Sequence, residues 1–230
     1  MLLFTDLHVS PKTFNICMEV LRDVHARAKD LNTTVCFLGD FFDHVYNKGT
    51  LPVNILNELL RFFRTEWTVP MIMIPGNHDY FDASETEHGL TPFKFANDKI
   101  QVLDSPTQIG DQLWIPFRRD PNTIEQIVKS HVGIKVVFAH LDIIGAKMNG
   151  HRLATHGVNV GLFDGLKVYT GHYHKPQTFH NIVYVGSPYQ TTMSEAEEQK
   201  RYILLDVNYI PTDIPVSIGS KLYKWTTNEL

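Results

Sequence analysis

The chain has 230 residues, 43% of them apolar, and 21 Lys and Arg against 25 Asp and Glu give it a net charge of −4. That length fits one large domain or two small ones with an ordinary buried core, and the charge excludes a uniformly basic coat for nucleic acid or membrane, although it says little about any one cleft. No apolar run approaches the length of a bilayer span.

Leu2 to Thr5 reads as a short strand stopped by Asp6-Leu7-His8; lacking a basic start and a long apolar region, it is not a signal peptide. Helical spacing follows in Phe14, Cys17, Val20, Leu21, Val24, Ala28 and Leu31, then a strand over Thr34 to Leu38 that ends in Gly39-Asp40. Cys17 and Cys36 fall inside these two patterns, which predicts reduced core thiols in a reducing compartment, cytoplasmic or nucleoid or nuclear rather than secreted, and not a disulfide framework or a zinc knuckle. Leu51 to Phe63 is helical again, with Ile55, Leu56, Leu59, Leu60 and Phe63 on its apolar side. Phe62 beside Phe63 gives it more apolar residues than one packed face needs, so it is either a dimer surface or a helix buried on two sides.

Met71 to Ile74 is a strand ending in Pro75-Gly76-Asn77-His78-Asp79. Strands are expected at Ile100 to Leu103 and Leu113 to Phe117, a helix from Pro121 to His131, and a strand from Lys135 to Phe138 ending in Ala139-His140. Lys167 to Tyr169 leads into Thr170-Gly171-His172-Tyr173-His174-Lys175-Pro176-Gln177, where Gly171 is expected to turn the backbone and the two histidines to share a face. Ile182 to Val185 and Tyr202 to Val207 are later strands, the last joined by Lys221 to Trp225. Strand and helix alternate without repeats or a Pro-, Gly- or Ser-rich linker, which argues for one layered α/β domain.

Asp6 and His8, Asp40, Asn77 and His78, His140, and His172 with His174 all fall just beyond the C-terminal end of an apolar strand, the edge at which open α/β sheets bind ligands. Taken alone, each has an ordinary reading as a helix cap, a turn or a core histidine. Together they mix carboxylate, amide and imidazole, a set suited to divalent Mn, Fe or Zn, and seven ligands are too many for one tetrahedral site but right for two ions sharing a bridging group. Asp6, His8 and His174 are assigned to one ion, Asn77, His140 and His172 to the other, with Asp40 between them.

In this order DLH, GDFFD, GNHD, AH and GHYH resemble the five motifs of the calcineurin-like metallophosphoesterases, over residues 6 to 174. The resemblance implies a two-sheet αββα sandwich with the metal pair at one edge, and the ligand assignment matches the family pattern position by position. Gly171 to Gln177, the later Gly186-Ser187-Pro188 and the acidic stretch Ser194 to Lys200 look closest to the SbcD and Mre11 type of DNA repair nuclease. That branch implies a Mn-dependent exonuclease or endonuclease subunit acting on DNA in repair or recombination, working with an SbcC/Rad50-type ATPase and dimerising, here through Leu51 to Phe63. It also carries a capping domain and an ATPase-docking segment. Little sequence follows Val207, so residues 1 to 230 are expected to form a single domain without a full cap. No phosphate-loop motif or long heptad run is present, and any ATP-driven step would belong to the partner.

His78 is expected to face the substrate as general acid or phosphate stabiliser, its other ring proton taken by Asp43 or Asp79, with Asp43 preferred. Lys175 and the pair Arg118-Arg119 can contact phosphate or lie solvated, and Tyr80 and Phe81 can stack on a base or pack the loop. His44, His151, His156 and His180 belong to no motif; His151 or His156 can still reach the cleft from the loop after His140. Two other readings stand beside the nuclease: the same metals acting on cyclic nucleotides or other small phosphoesters, and a non-catalytic scaffold.

Overall fold

A computed structural model describes residues 1–43, 51–148, 152–219 and 221–223. The first half runs β1 (Leu2–Phe4), α1 (Phe14–Asp30), β2 (Val35–Leu38), α2 (Val53–Thr65), β3 (Met71–Ile74) and β4 (Ile100–Val102). The second half runs β5 (Thr107–Ile109), β6 (Gln112–Ile115), α3 (Pro121–Ser130), β7 (Val136–His140), β8 (Lys167–Gly171), β9 (Gln177–Phe179), β10 (Ile182–Tyr184), β11 (Lys200–Leu205) and β12 (Pro211–Val216).

These strands form two mixed six-stranded sheets, ordered β12-β11-β1-β2-β3-β4 and β5-β6-β7-β8-β10-β9. The central strands of each are parallel and buried on both faces, so they read as continuous apolar runs, while the antiparallel strands lie toward the edges. Period-two alternation sorts β1: Leu3 points between the sheets with Cys36, Leu38, Trp114 and Phe138, whereas Leu2 and Phe4 pack outward against α1. α3 covers the outer face of the second sheet through Ile124 and Val128. The result is the expected αββα sandwich, with both thiols buried and unpaired by disulfide.

Three strands were not legible in the pattern. β5 and β9 are three-residue edge strands, too short to show a period. The partner of β11 is β12 and not the segment from Lys221 to Trp225: Lys221 to Tyr223 has no strand structure, and Lys224 and Trp225 lie outside the described residues. Pro211 and Pro215 hide β12, because proline is confined to edge strands, and β12 is an edge.

The surplus apolar residues of α2 are mostly accounted for by the core. Ile55, Leu59, Phe62 and Phe63 are buried, and Leu51 and Leu60 pack against the same cluster. Leu56 lines an apolar groove with Phe42, Leu51 and Phe81. Among the described residues, no helix is long and apolar enough to cross a membrane.

Candidate metal centre

The loops after β1 and β2 are zipped together. Thr5 Oγ1 donates to the Leu38 carbonyl at 3.0 Å, and the amides of Asp6, His8 and Val9 donate to the carbonyls of Gly39, Asp40 and Phe41 at 2.9, 3.0 and 2.8 Å. Phe41 and Phe42 anchor this unit: Phe41 packs on Phe93 with ring centroids 5.0 Å apart and Phe42 stacks on the same ring at 6.1 Å, so the two aromatics inside GDFFD hold Asp40 in place.

Close approach of the strand ends depends on glycine. A Cβ on Gly76 would lie 2.2 Å from Asp40 Oδ1. One on Gly171 would lie 2.1 Å from Thr5 Oγ1. Gly171 therefore serves proximity rather than the expected turn; it ends β8 in extended form, and the left-handed residue is His172, at φ 96°. Asp6, His8 and Asp40 are left-handed too, at φ 53°, 51° and 59°. Four non-glycine residues in this region, each costing roughly 1–3 kcal/mol, gather at one rim, as strained backbone does at functional sites.

Side chains from five strand ends converge there. His8 Nε2 and His174 Nε2 face each other at 2.9 Å, with Asp6 Oδ1 3.9 Å from His8 Nε2. Asn77 Oδ1 lies 3.0 Å from His140 Nε2 and 2.9 Å from His172 Nδ1. Asp40 Oδ2 stands between these groups, 3.9 Å from His8 Nε2 and 3.3 Å from His140 Nε2. Asp6, His8 and His174 thus cluster at metal-binding distances, as do Asp40, His140 and His172.

The outward contacts fix which ring nitrogen each histidine presents. His140 Nδ1 donates to the Leu38 carbonyl at 2.7 Å, His172 Nε2 to Asp142 Oδ1 at 2.8 Å and His174 Nδ1 to Glu195 Oε1 at 3.2 Å. Each acceptor can only accept, so in its neutral form each imidazole turns its other nitrogen inward with a lone pair to offer, the arrangement that orients metal-binding histidines. With two buried carboxylates and an amide oxygen, this donor set fits two divalent ions of the borderline kind.

Electrostatics of the cluster follow from burial and crowding. Burial raises the Asp6 carboxyl and pushes the His8 imidazole well down. Burial also opposes ionisation of Asp40, but the charges of His140, His8 and His78 outweigh it and hold the carboxyl well below the usual range. At His140 burial is outweighed by the Asp40 charge, and the imidazole rises to about 9.

His78 lines a cleft of 460 Å³ with His8, Asp43, His172, His174 and Thr191. Its amide donates to Asp40 Oδ1 at 2.9 Å. Its Nδ1 meets the main-chain carbonyl of Asp43, the residue expected to support it. The Asp43 carboxylate lies instead 3.7 Å from His8 Nδ1. Asp79 does not serve His78: its buried carboxylate accepts the amides of Asp40, Phe41, Phe42 and Gly76 at 2.9 to 3.0 Å. Burial and the charge of Asp40 raise it to about 7.

The expected substrate contacts are engaged internally. Tyr80 is 3% exposed and its hydroxyl accepts from Arg118 Nη1 at 2.7 Å, so that ring packs the loop, while Phe81, 42% exposed, keeps a solvent face. Arg118 also donates to the carbonyls of Phe117 and Asp104. Lys175 Nζ lies 3.7 Å from Glu198 Oε1. His156 lies with Arg118, Arg119 and Asp142 at a neighbouring cleft of 390 Å³. His180 is exposed, and His44 and His151 lie outside the described residues.

Sequence reasoning missed Asp142 and Glu195, the acceptors behind His172 and His174. Asp142 had a faint signal, two residues past His140 at a strand end; Glu195 had none beyond its place in an acidic stretch, because it arrives from a loop 21 residues on.

A Staphylococcus epidermidis protein, the SbcD subunit of the nuclease SbcCD, is 25% identical over 216 residues, the match covering 78% of this chain and 56% of the relative. The chain thus spans about half the length of that relative. Among solved structures, Pseudomonas putida nuclease MPE is similar at 14% identity with a TM-score of 0.39, over 88% of this chain and 82% of its own. The family model for calcineurin-like phosphoesterase matches residues 1–176, a span that holds the motif residues from Asp6 to His174 now seen at the shared rim of the two sheets. By that match the chain belongs to the calcineurin-like phosphoesterase family.

Proposed function

We propose that this chain is a two-metal phosphodiesterase acting on DNA, an SbcD/Mre11-like exonuclease or endonuclease subunit. In this reading Asp6, His8 and His174 hold one ion, and Asn77, His140 and His172 the other. The observation that carries it is Asp40, whose single oxygen Oδ2 lies within 3.9 Å of a histidine from each group. Mn is the preferred ion, with Fe and Zn compatible with the same ligands. A bound divalent pair supplies activation of water near neutral pH and neutralises charge developing on the phosphoryl oxygens.

The protein's own residues then have defined tasks. Asp142 holds His172 in the presenting tautomer. His78, fixed through its amide to Asp40 and through Nδ1 to the Asp43 carbonyl, donates a proton to the leaving oxygen in the cleft. DNA as substrate is supported by the 25% identical nuclease subunit and by the GHYHKPQ and GSP segments. The partners proposed with it are an SbcC/Rad50-type ATPase and a second copy of this chain against Leu51 to Phe63.

A small-phosphodiester reading is favoured by one observation: Arg118 and Lys175 are both engaged by the chain's own groups rather than lining a track for a polymer backbone. The test is degradation of end-labelled single- and double-stranded DNA by the purified protein with Mn, with chelator, and as His78→Ala. The nuclease reading expects Mn-dependent cleavage that chelator abolishes and that His78→Ala lowers about 10²- to 10⁴-fold with metal binding retained. Intact DNA beside hydrolysis of a chromogenic phosphodiester would favour the small substrate.

A further inference from the structure

The family match ends at residue 176, yet the environment of His174 does not. Glu195 and Lys200 are buried to 2% and 3% exposure, and neither belongs to the catalytic motifs. Glu195 Oε1 takes His174 Nδ1 at 3.2 Å and also the hydroxyl of Thr191. Its Oε2 takes Lys200 Nζ at 2.7 Å, the Thr191 amide at 3.2 Å and Ser187 Oγ at 3.3 Å. Lys200 Nζ reaches further, to the His174 carbonyl at 3.0 Å, Ser187 Oγ at 3.1 Å and Glu198 Oε2 at 3.1 Å.

So His174 is gripped at both ends, its ring by Glu195 and its backbone by Lys200, and the two grips are tied by an ion pair. Lys200 opens β11, which pairs with β1, the strand that delivers Asp6 and His8. The network therefore joins the two halves of one ligand set. A merely structural ion pair would not need its carboxylate on the outward nitrogen of the very imidazole whose inward nitrogen faces His8.

We infer that Glu195, clamped by Lys200 and Ser187, is a positioning residue that fixes the ring and tautomer of His174 for metal, so that Ser187 to Lys200 forms a working part of the centre. This rests on the reading of His174 as a ligand.

The test is Mn titration calorimetry and the Co(II) absorption spectrum on the full chain as wild type, His174→Ala, Glu195→Leu and Glu195→Leu/Lys200→Met, each with its thermal midpoint. The charge-balanced double variant removes the penalty of a buried, partly unpaired ammonium and separates stability from positioning. Expected are a roughly 10- to 100-fold loss of affinity for one ion in both Glu195 variants and an altered Co(II) spectrum, with the midpoint recovering in the double variant while the affinity does not. Affinity within about twofold of wild type in Glu195→Leu, while His174→Ala loses an ion, would overturn the positioning role and keep the ligand reading. Affinity that recovers with stability in the double variant would overturn it equally. Unchanged metal binding in His174→Ala would overturn both.

Discussion

Asp40→Asn is expected to lower metal-dependent phosphodiesterase activity on the order of 10³-fold, about 4 kcal/mol of transition-state stabilisation, and to reduce bound divalent metal from two ions per chain toward one. The reason is position. Asp40 Oδ2 stands between His8 and His140, one histidine from each ligand group, and reaches both from a single oxygen. An amide keeps the size and can still accept the His78 amide through Oδ1, so the loop should hold its shape. What it loses is the negative charge that the proposed bridge needs. The check is metal content by mass spectrometry beside kcat/KM on a chromogenic phosphodiester, with the thermal midpoint as control. Retained activity with two ions bound would remove Asp40 from the bridge.

Asp79→Ala is expected to be the most destabilising single change at this edge, by about 4 kcal/mol or more. Its carboxylate satisfies the buried amides of Asp40, Phe41, Phe42 and Gly76, and each such donor left unmet costs roughly 1–3 kcal/mol. For a chain of this size that corresponds to a thermal midpoint lowered by about 10 °C. Asp79→Asn, which keeps one acceptor oxygen, should lose about half as much. Thermal or denaturant unfolding of the three proteins gives the comparison. A loss of less than about 1 kcal/mol in Asp79→Ala would mean that water or another acceptor takes over these amides.

Much of this centre was legible because its ligands follow apolar strands. A strand that ends in Asp6-Leu7-His8 or Gly39-Asp40 announces both the sheet and the chemistry at its edge, and parallel topology then brings those ends together. The gathering of the residues from Asp6 to His174 at one rim could be written for that reason. The supports behind the ligands were not legible in the same way. Asp79 reads as a turn former in GNHD, and only the folded loop shows its carboxylate collecting amides from the motif before it. Asp43 meets His78 through its main-chain carbonyl, a contact that residue type does not suggest, since backbone contacts carry no residue signature. Glu195 reaches His174 through tertiary packing alone. Edge strands failed for a related reason: β5 and β9 are too short for a period, and β12 carries two prolines.

The measurement that tests the two-metal centre most directly is anomalous diffraction from crystals of the wild-type chain grown with Mn, supported by metal content in solution. The predicted result is two ions per chain about 3.5–4 Å apart, one against Asp6, His8 and His174, the other against Asn77, His140 and His172, with Asp40 contacting both. A single ion, or two ions that leave Asp40 in contact with only one of them, would contradict it.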